Sequence, residues 1–512
     1  MCAGSDHDKQ PSVLPDVVCS GETNIACDRR PYSQFQERNR EPLLDNTSTA
    51  YAETSSSSFW ERVENRLRTR TLFYATLPAF CAILLMFCAT AWQVFWPTTD
   101  PARYQCYALT FWFGSHATSL LPADQCAFLQ SSGSMPPFHM LPIEYPPLTL
   151  LPFSVPLLFP LPYYQFGFAL LMSVAVLITY WILFFHGPRG SALILLLYLL
   201  LGAFALVQMR FDLLPALCTL LCLLCAQRKQ WTRAYIALSI GVLLKIYPLM
   251  FLPALFIAEQ QEKGLLHRPS ALRTWKQTGA ELFTTAKGLR HWQWRNTILL
   301  LIVILGITGL FALSNFNTAV VSQIQYFLAR PIQIETSGAV LLWFAHLAGM
   351  PWQIGYTSGS INITTASLSH IIAPLTSLAF LLGVLYVFWC QWRGQMNLTA
   401  TVIALTFIFI TTGKVFSPQY LIWVIPLLAY AGAFRRIWLI LWGAISLLTT
   451  IIYTYFYAQL TDPAHIVIPA GFFETVLVRN GLFIFLTLAY LFNWFAIRTN
   501  TTTSPLSYPP FD

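Results

Sequence analysis

The chain has 512 residues, of which 56% are hydrophobic and only 10% charged. Soluble domains carry about 25% charged residues, so a string of water-soluble domains is excluded. The net charge of +8 is no nucleic-acid signal, and no nucleic-acid partner is expected. It is read loop by loop, because basic residues orient helices across a bilayer.

Residues 1–58 are polar and rich in Ser, Thr, Asp, Asn and Pro, without a secretory signal. Together with the basic stretch that follows, residues 1–70 read as a disordered cytoplasmic leader. Twelve apolar runs come next, at 72–96, 163–186, 190–209, 212–226, 231–246, 248–258, 296–316, 368–390, 397–412, 420–432, 437–457 and 475–496. A perpendicular helix needs about 20 apolar residues to cross a bilayer, and several of these runs are shorter. Short, Pro-interrupted spans are tolerated where they face protein or a water-filled cavity. The expected architecture is therefore an all-α integral membrane bundle of about twelve transmembrane helices over 71–496. Its short, broken helices would surround an outward-facing cavity.

The charges agree with that reading. Arg62, Arg66, Arg68, Arg70, Arg228, Lys229, Arg233, Arg393, Arg435 and Arg436 fall on one side of the alternating spans. So does the basic and aromatic inner loop 259–295, read as an amphipathic segment on anionic lipid. The opposite loops, 97–162, 317–367 and 458–474, hold only Arg103 and Arg330 as Lys or Arg. The positive-inside rule then puts both termini, with the tail 497–512, in the cytoplasm of a multi-pass plasma-membrane protein. In loop 97–162 the run 148–162 is broken by Pro152, Pro156 and Pro160 and reads as re-entrant or interfacial. In loop 317–367 the stretch 340–348 reads as an interfacial helix followed by a polar loop. Cys106 and Cys126 share an outward loop, where oxidising conditions permit a disulfide. The cysteines in apolar runs read as core residues.

Ionisable residues at membrane depth are functional candidates. Arg210, Lys245, Arg330 and Lys414 lie at the outer ends of helices, against the positive-inside trend, and Asp212 and Glu335 lie beside them in sequence. An outer anion would explain that cost, and Lys and Arg bind phosphate through charge-assisted hydrogen bonds. Snorkelling to headgroups is the structural alternative for each one. Asp100, directly after the first run, is placed to act as a general base toward a sugar hydroxyl. An ordinary Asp-Pro turn is its alternative. Glu144 is a second outer carboxylate and Asp124 a third, in a more loop-like setting. No His/Cys/carboxylate cluster shows metal-ligand spacing, so no metal is expected.

Taken in order, Asp100-x-x-x-Tyr104, Tyr145-Pro146-Pro147-Leu148, Lys245-Ile246-Tyr247-Pro248 with Pro253, and Phe416-Ser417-Pro418-Gln419-Tyr420 with Trp423 and Pro426 resemble the family-87 glycosyltransferases. These are C-type membrane enzymes that use polyprenyl-phosphate-mannose. The resemblance spans most of residues 70–495. Where some members carry His after the Ser-Pro motif, this chain has Gln419-Tyr420-Leu421-Ile422-Trp423. The resemblance implies a C-type fold and hexose transfer, with mannose as the family's sugar, to a glycan or glycolipid acceptor with inversion. It maps the catalytic carboxylate onto Asp100 and a donor-phosphate ligand onto Lys245; the outer-end cations Arg210, Lys414 and Arg330 are expected, from their charge, as further phosphate ligands. Tyr104, Glu144, Tyr145, Tyr247, Glu335, Gln419 and Tyr420 are the expected substrate contacts. The lipid-linked donor is a co-substrate and no cofactor is expected. The rival reading is a multi-pass lipid or sugar transporter or flippase, which would need polar residues threading both membrane halves. The inner halves of 163–186, 296–316 and 368–390 are almost purely apolar.

Overall fold

The computed structural model describes residues 59–96, 99–122, 124–129, 134–266, 288–432, 436–460 and 466–494. The leader over 1–58, the middle of the inner loop and the tail 497–512 lie outside the described residues. The described residues belong to one compact unit, and 72% of them are helical.

Among the described residues, six helical stretches are long and apolar enough to cross a membrane: Leu72–Thr90, Leu161–His186, Arg295–Tyr326, Ser369–Trp392, Arg436–Gln459 and Phe472–Leu491. These contain α2 (Leu72–Thr90), α5 (Tyr164–His186), α10 (Arg295–Phe316), α13 (Ser369–Trp392), α16 (Arg436–Ile451) and α17 (Phe472–Leu491). Each of the twelve apolar runs contains or overlaps a helix, but the others are shorter. They are α6 (Ser191–Gly202), α7 (Leu213–Gln227), α8 (Trp231–Leu244), α9 (Leu252–Glu262), α14 (Leu398–Thr412) and α15 (Tyr420–Tyr430). The chain is thus built as a multi-pass membrane protein.

Burial sorts the helices into centre and periphery. Every residue of α15 is buried. At ~1.5 Å per residue its 11 residues reach only about half of a ~30 Å hydrocarbon core, so its backbone ends need protein around them. By contrast, α10 buries only Asn296, Thr297 and Leu300. Its Leu305, Leu310 and Leu313, like Leu375, Leu381, Leu382 and Leu385 of α13, are exposed. A ring of exposed leucines would be unstable in water but suits lipid. Inside, α8 meets α7 closely at Gly241, where a Cβ would lie 3.2 Å from the Cys218 Cβ. Small residues let membrane helices approach in this way.

Three segments depart from expectation. Phe59–Arg68, assigned to the disordered leader, is an amphipathic helix, α1. Its Glu64 is fully buried, accepts from Arg68 (2.8 Å) and meets the backbone N–H groups of Gly190 and Ala192 at the start of α6. A carboxylate there satisfies orphan helix donors and suits the positive end of the dipole. Burial still pushes its pKa upward. Within 97–162, Asp100–Phe113 is a largely buried helix, α3, which the Pro-rich surroundings concealed. The Pro-broken run forms Pro147–Leu158, short 3₁₀ turns around the brief α4 (Leu150–Ser154).

The loop 317–367 holds the other surprise. Besides α11 (Ser322–Ala329) and the expected helix, α12 (Ser337–Leu347), it carries a small antiparallel sheet. Strands β1 (Ile332–Gln333), β2 (Trp352–Thr357) and β3 (Ser360–Ala366) run in the order β1-β3-β2. Ser358 and Gly359 both take positive φ at the β2–β3 turn, as two-residue hairpin turns of the primed type require.

Candidate functional site

Asp100 opens α3. Thr99 caps that helix, its Oγ1 accepting from the Ala102 N–H at 3.3 Å, and Pro101 fits the first turn. Thr99 Oγ1 also donates to Gln165 Oε1 (2.5 Å), while Gln165 Nε2 donates to the Trp96 carbonyl (2.9 Å). The carboxylate is therefore held at the junction of α3, α5 and the chain leaving α2. Asp100 Oδ2 is ion-paired with Arg210. Asp100 Oδ1 stands 3.9 Å from Arg103 Nη1, beyond hydrogen-bond distance.

Arg103, one turn along α3, is paired with Glu144 and lies 4.7 Å from the Phe128 ring centroid. Phe128 follows Cys126, which is bonded to Cys106 with a Cα separation of 5.7 Å, within the usual range. The disulfide thus fastens the loop that supports Arg103 to the helix that carries Asp100.

Arg210-Phe211-Asp212 leads into α7. Asp212 is buried, and its Oδ1 accepts from Lys245 Nζ (2.5 Å) and from Trp423 Nε1 (2.5 Å). Its Oδ2 has no hydrogen-bond partner among the described residues. Lys245, just past α8, lies 5.0 Å from the Trp423 ring and 5.1 Å from Phe211. Trp423 stacks on Tyr247 at 4.0 Å and on Tyr420 at 3.9 Å. Tyr145 meets Phe211 edge-on at 5.1 Å, and Tyr104 stacks on Phe153 at 4.2 Å. Phe211 is therefore in contact with Lys245 and with the Tyr104, Tyr145 and Phe153 rings.

Charge interactions tie these groups into one neighbourhood. Lys245 feels Arg210 and Asp100 as well as Asp212. Tyr420 feels Arg330 and Asp212. Arg330 donates to Ser360 Oγ (2.9 Å) and lies 5.2 Å from the Tyr326 ring. Its buried Nε has no hydrogen-bond partner among the described residues. The backbone N–H of Gln333, three residues on, donates to the Lys414 carbonyl (3.0 Å), so both cations sit on adjoining segments. Among the described residues neither has a carboxylate within ion-pair distance. Arg103, Arg210 and Lys245 are already paired, whereas Arg330 and Lys414 are not. Gln419 accepts from Ser417 Oγ (2.8 Å) at the start of α15.

Several of the expected site residues have charged protein partners. Lys245 and Arg210, expected as phosphate ligands, pair with Asp212 and Asp100. Glu335, read as a substrate contact, is fully buried. Its Oε2 accepts from Arg479 Nη1 (2.6 Å) and its Oε1 from Tyr457 (2.7 Å). Its carbonyl accepts from Arg479 Nη2 (2.6 Å) and Asn480 Nδ2 (3.0 Å). Burial pushes the Glu335 pKa up, opposed by Arg479. Glu335 is a clamp between the outer segment and α17. Arg479 was overlooked, although a lone Arg in the run 475–496 was itself a signal. Asp124 is exposed in its turn. Among the described residues no three His, Cys, Asp or Glu side chains gather as metal ligands. An apolar groove of about 550 Å³ between Leu109–Phe113 and Ser154–Leu161 is lined by none of the expected site residues.

The architecture defines a multi-pass helical membrane protein with a paired-charge cluster at one end of its bundle. Compared with known proteins, the chain matches no family model, and no curated protein matches it.

Proposed function

We propose that the protein is a membrane glycosyltransferase that moves a hexose, with mannose the first candidate, from a polyprenyl-phosphate donor to a glycan or glycolipid acceptor. The bundle would have twelve spans, with the reaction on the outer face of the plasma membrane. The observation that carries this reading is the imbalance of the cluster. Arg103, Arg210, Lys245 and Arg330 are set against Asp100, Glu144 and Asp212. The excess positive charge belongs to Arg330, and Lys414 lies on the segment whose backbone adjoins that of Arg330. A glycosyl phosphodiester carries one negative charge, and the phosphate it releases carries about −1.5 to −2. Excess cations near the leaving oxygen favour the transition state over the ground state.

The step is an inverting displacement. The acceptor hydroxyl oxygen bonds to the anomeric carbon as the bond from that carbon to the phosphate oxygen breaks. The hydroxyl proton passes to Asp100 Oδ1, and the electron pair of the broken bond leaves with the phosphate. Arg210, paired to Oδ2, fixes the carboxylate so that Oδ1 faces the acceptor. Arg330 and Lys414 take the phosphate, with Lys245 behind them. The test is incubation of the purified protein with polyprenyl-phosphate-mannose and candidate acceptors. Acceptor-dependent release of polyprenyl phosphate supports the proposal. Donor carried across a vesicle membrane without cleavage points to the flippase reading instead.

A further inference from the structure

The β2–β3 hairpin is not used by the mechanism above, yet it reaches into the same neighbourhood. At its turn a Cβ on Gly359 would lie 2.9 Å from Arg103 Nη1 and 3.3 Å from Glu144 Oε1. The Ser358 carbonyl accepts from the Tyr326 hydroxyl (2.8 Å). Ser360 Oγ accepts from Arg330 and donates to Asn362 Oδ1 (3.0 Å). Asn362, fully buried, donates back to the Thr357 carbonyl (2.6 Å) and to the Ser360 carbonyl (3.0 Å). The turn is therefore held from three sides against the residues flanking Asp100.

Along β2, residues two apart share a face. Ile354 packs against the second hydrophobic cluster, which Ile361, Ile363 and Phe472 help to form. Tyr356 continues that face beyond the cluster and belongs to neither core. It pairs with Ile361 across the hairpin and is 53% exposed, but it still feels the charges of Arg103, Asp100, Glu144 and Arg210. An exposed aromatic ring on a hairpin beside two carboxylates and two guanidinium groups has the make-up of a carbohydrate platform. The ring face meets the C–H groups of a pyranose, and the flanking charges meet its hydroxyls. Tyrosine suits this place, since one end is apolar and the other wet.

Building on the glycosyl-transfer reading, we infer that the β2–β3 hairpin is the acceptor-side sugar platform, with Tyr356 stacking on a pyranose ring whose hydroxyl is offered to Asp100. Gly359 is required at the turn by its positive φ and by the close guanidinium, since a side chain there would lift the platform away.

The test measures sugar binding apart from transfer. Octyl mannoside is titrated against the full chain in a lipid nanodisc, and saturation-transfer NMR reads binding. Tyr356→Ala is expected to weaken binding at least tenfold, Tyr356→Trp to keep it, and Gly359→Ala to weaken it. Donor binding by Tyr356→Ala is expected to stay unchanged, which separates loss of the platform from loss of fold. Equal binding by the unaltered protein and Tyr356→Ala, or no binding by the unaltered protein, overturns the inference. Sugar binding that depends on Tyr356 in a protein unable to transfer any hexose would keep the platform and reject the transferase reading.

Discussion

At the scale of single residues, the difference between Lys245 and Arg330 is the difference between a compensated and an open cation. Lys245 balances Asp212, which is only 1% exposed. Removing one member of such a pair leaves an uncompensated buried charge, at a cost of about 3–5 kcal/mol. Lys245→Ala is therefore expected to lower the unfolding temperature in detergent. Lys245→Met with Asp212→Leu should recover most of that loss, because the charge and its partner leave together. Arg330→Ala breaks no ion pair and should leave the unfolding temperature nearly unchanged while weakening donor affinity several-fold. Thermal unfolding with a donor-binding titration separates the two. The sequence brought forward Asp100, Arg210, Lys245 and Arg330 because charge at an outer helix end is conspicuous. It did not reveal that three of the five cations are spoken for, because pairs such as Lys245–Asp212 span 33 positions.

At the scale of elements, each of the twelve hydrophobic runs fell on a described helix, but the runs said little about the outer segments. There, burial against protein rather than a lipid boundary sets the pattern. Helix α3 was missed because ten of its fourteen residues are buried against protein, so no amphipathic stripe marks it. The hairpin did carry a signal, in alternating Trp352-to-Thr357 and Ser360-to-Ala366 strands around Ser358-Gly359, that the helical context obscured. Two clamps hold these elements in place. Arg479→Met should leave Glu335 buried without its partner and destabilise the protein by about 3–5 kcal/mol, with Glu335→Gln in the same chain restoring part of it. Thermal denaturation of the single and double variants reads this directly. The Cys106–Cys126 bond closes a separation of 20 residues, worth about 3 kcal/mol in the chain-entropy model. Cys106→Ser should therefore unfold at lower denaturant and lose activity earlier than the unaltered protein as denaturant is raised.

At the scale of the whole molecule, orientation in the membrane decides which side the Asp100 cluster faces. The basic-loop asymmetry predicts that a cysteine at position 280 is shielded from an impermeant reagent applied to intact cells, whereas one at Thr357 reacts. Labelling in the reverse sense would place the Asp100 cluster in the cytoplasm, where the outer-leaflet donor could not reach it. The chemistry is tested most directly by Asp100→Asn, which keeps the side chain's shape and its place at the start of α3 but removes the base. Transfer from polyprenyl-phosphate-mannose should fall by about 10²–10⁴-fold, while donor affinity, measured by titration of the same preparation, stays within about twofold. Turnover by Asp100→Asn close to that of the unaltered protein, with donor still bound, would contradict the assignment of Asp100 as the base.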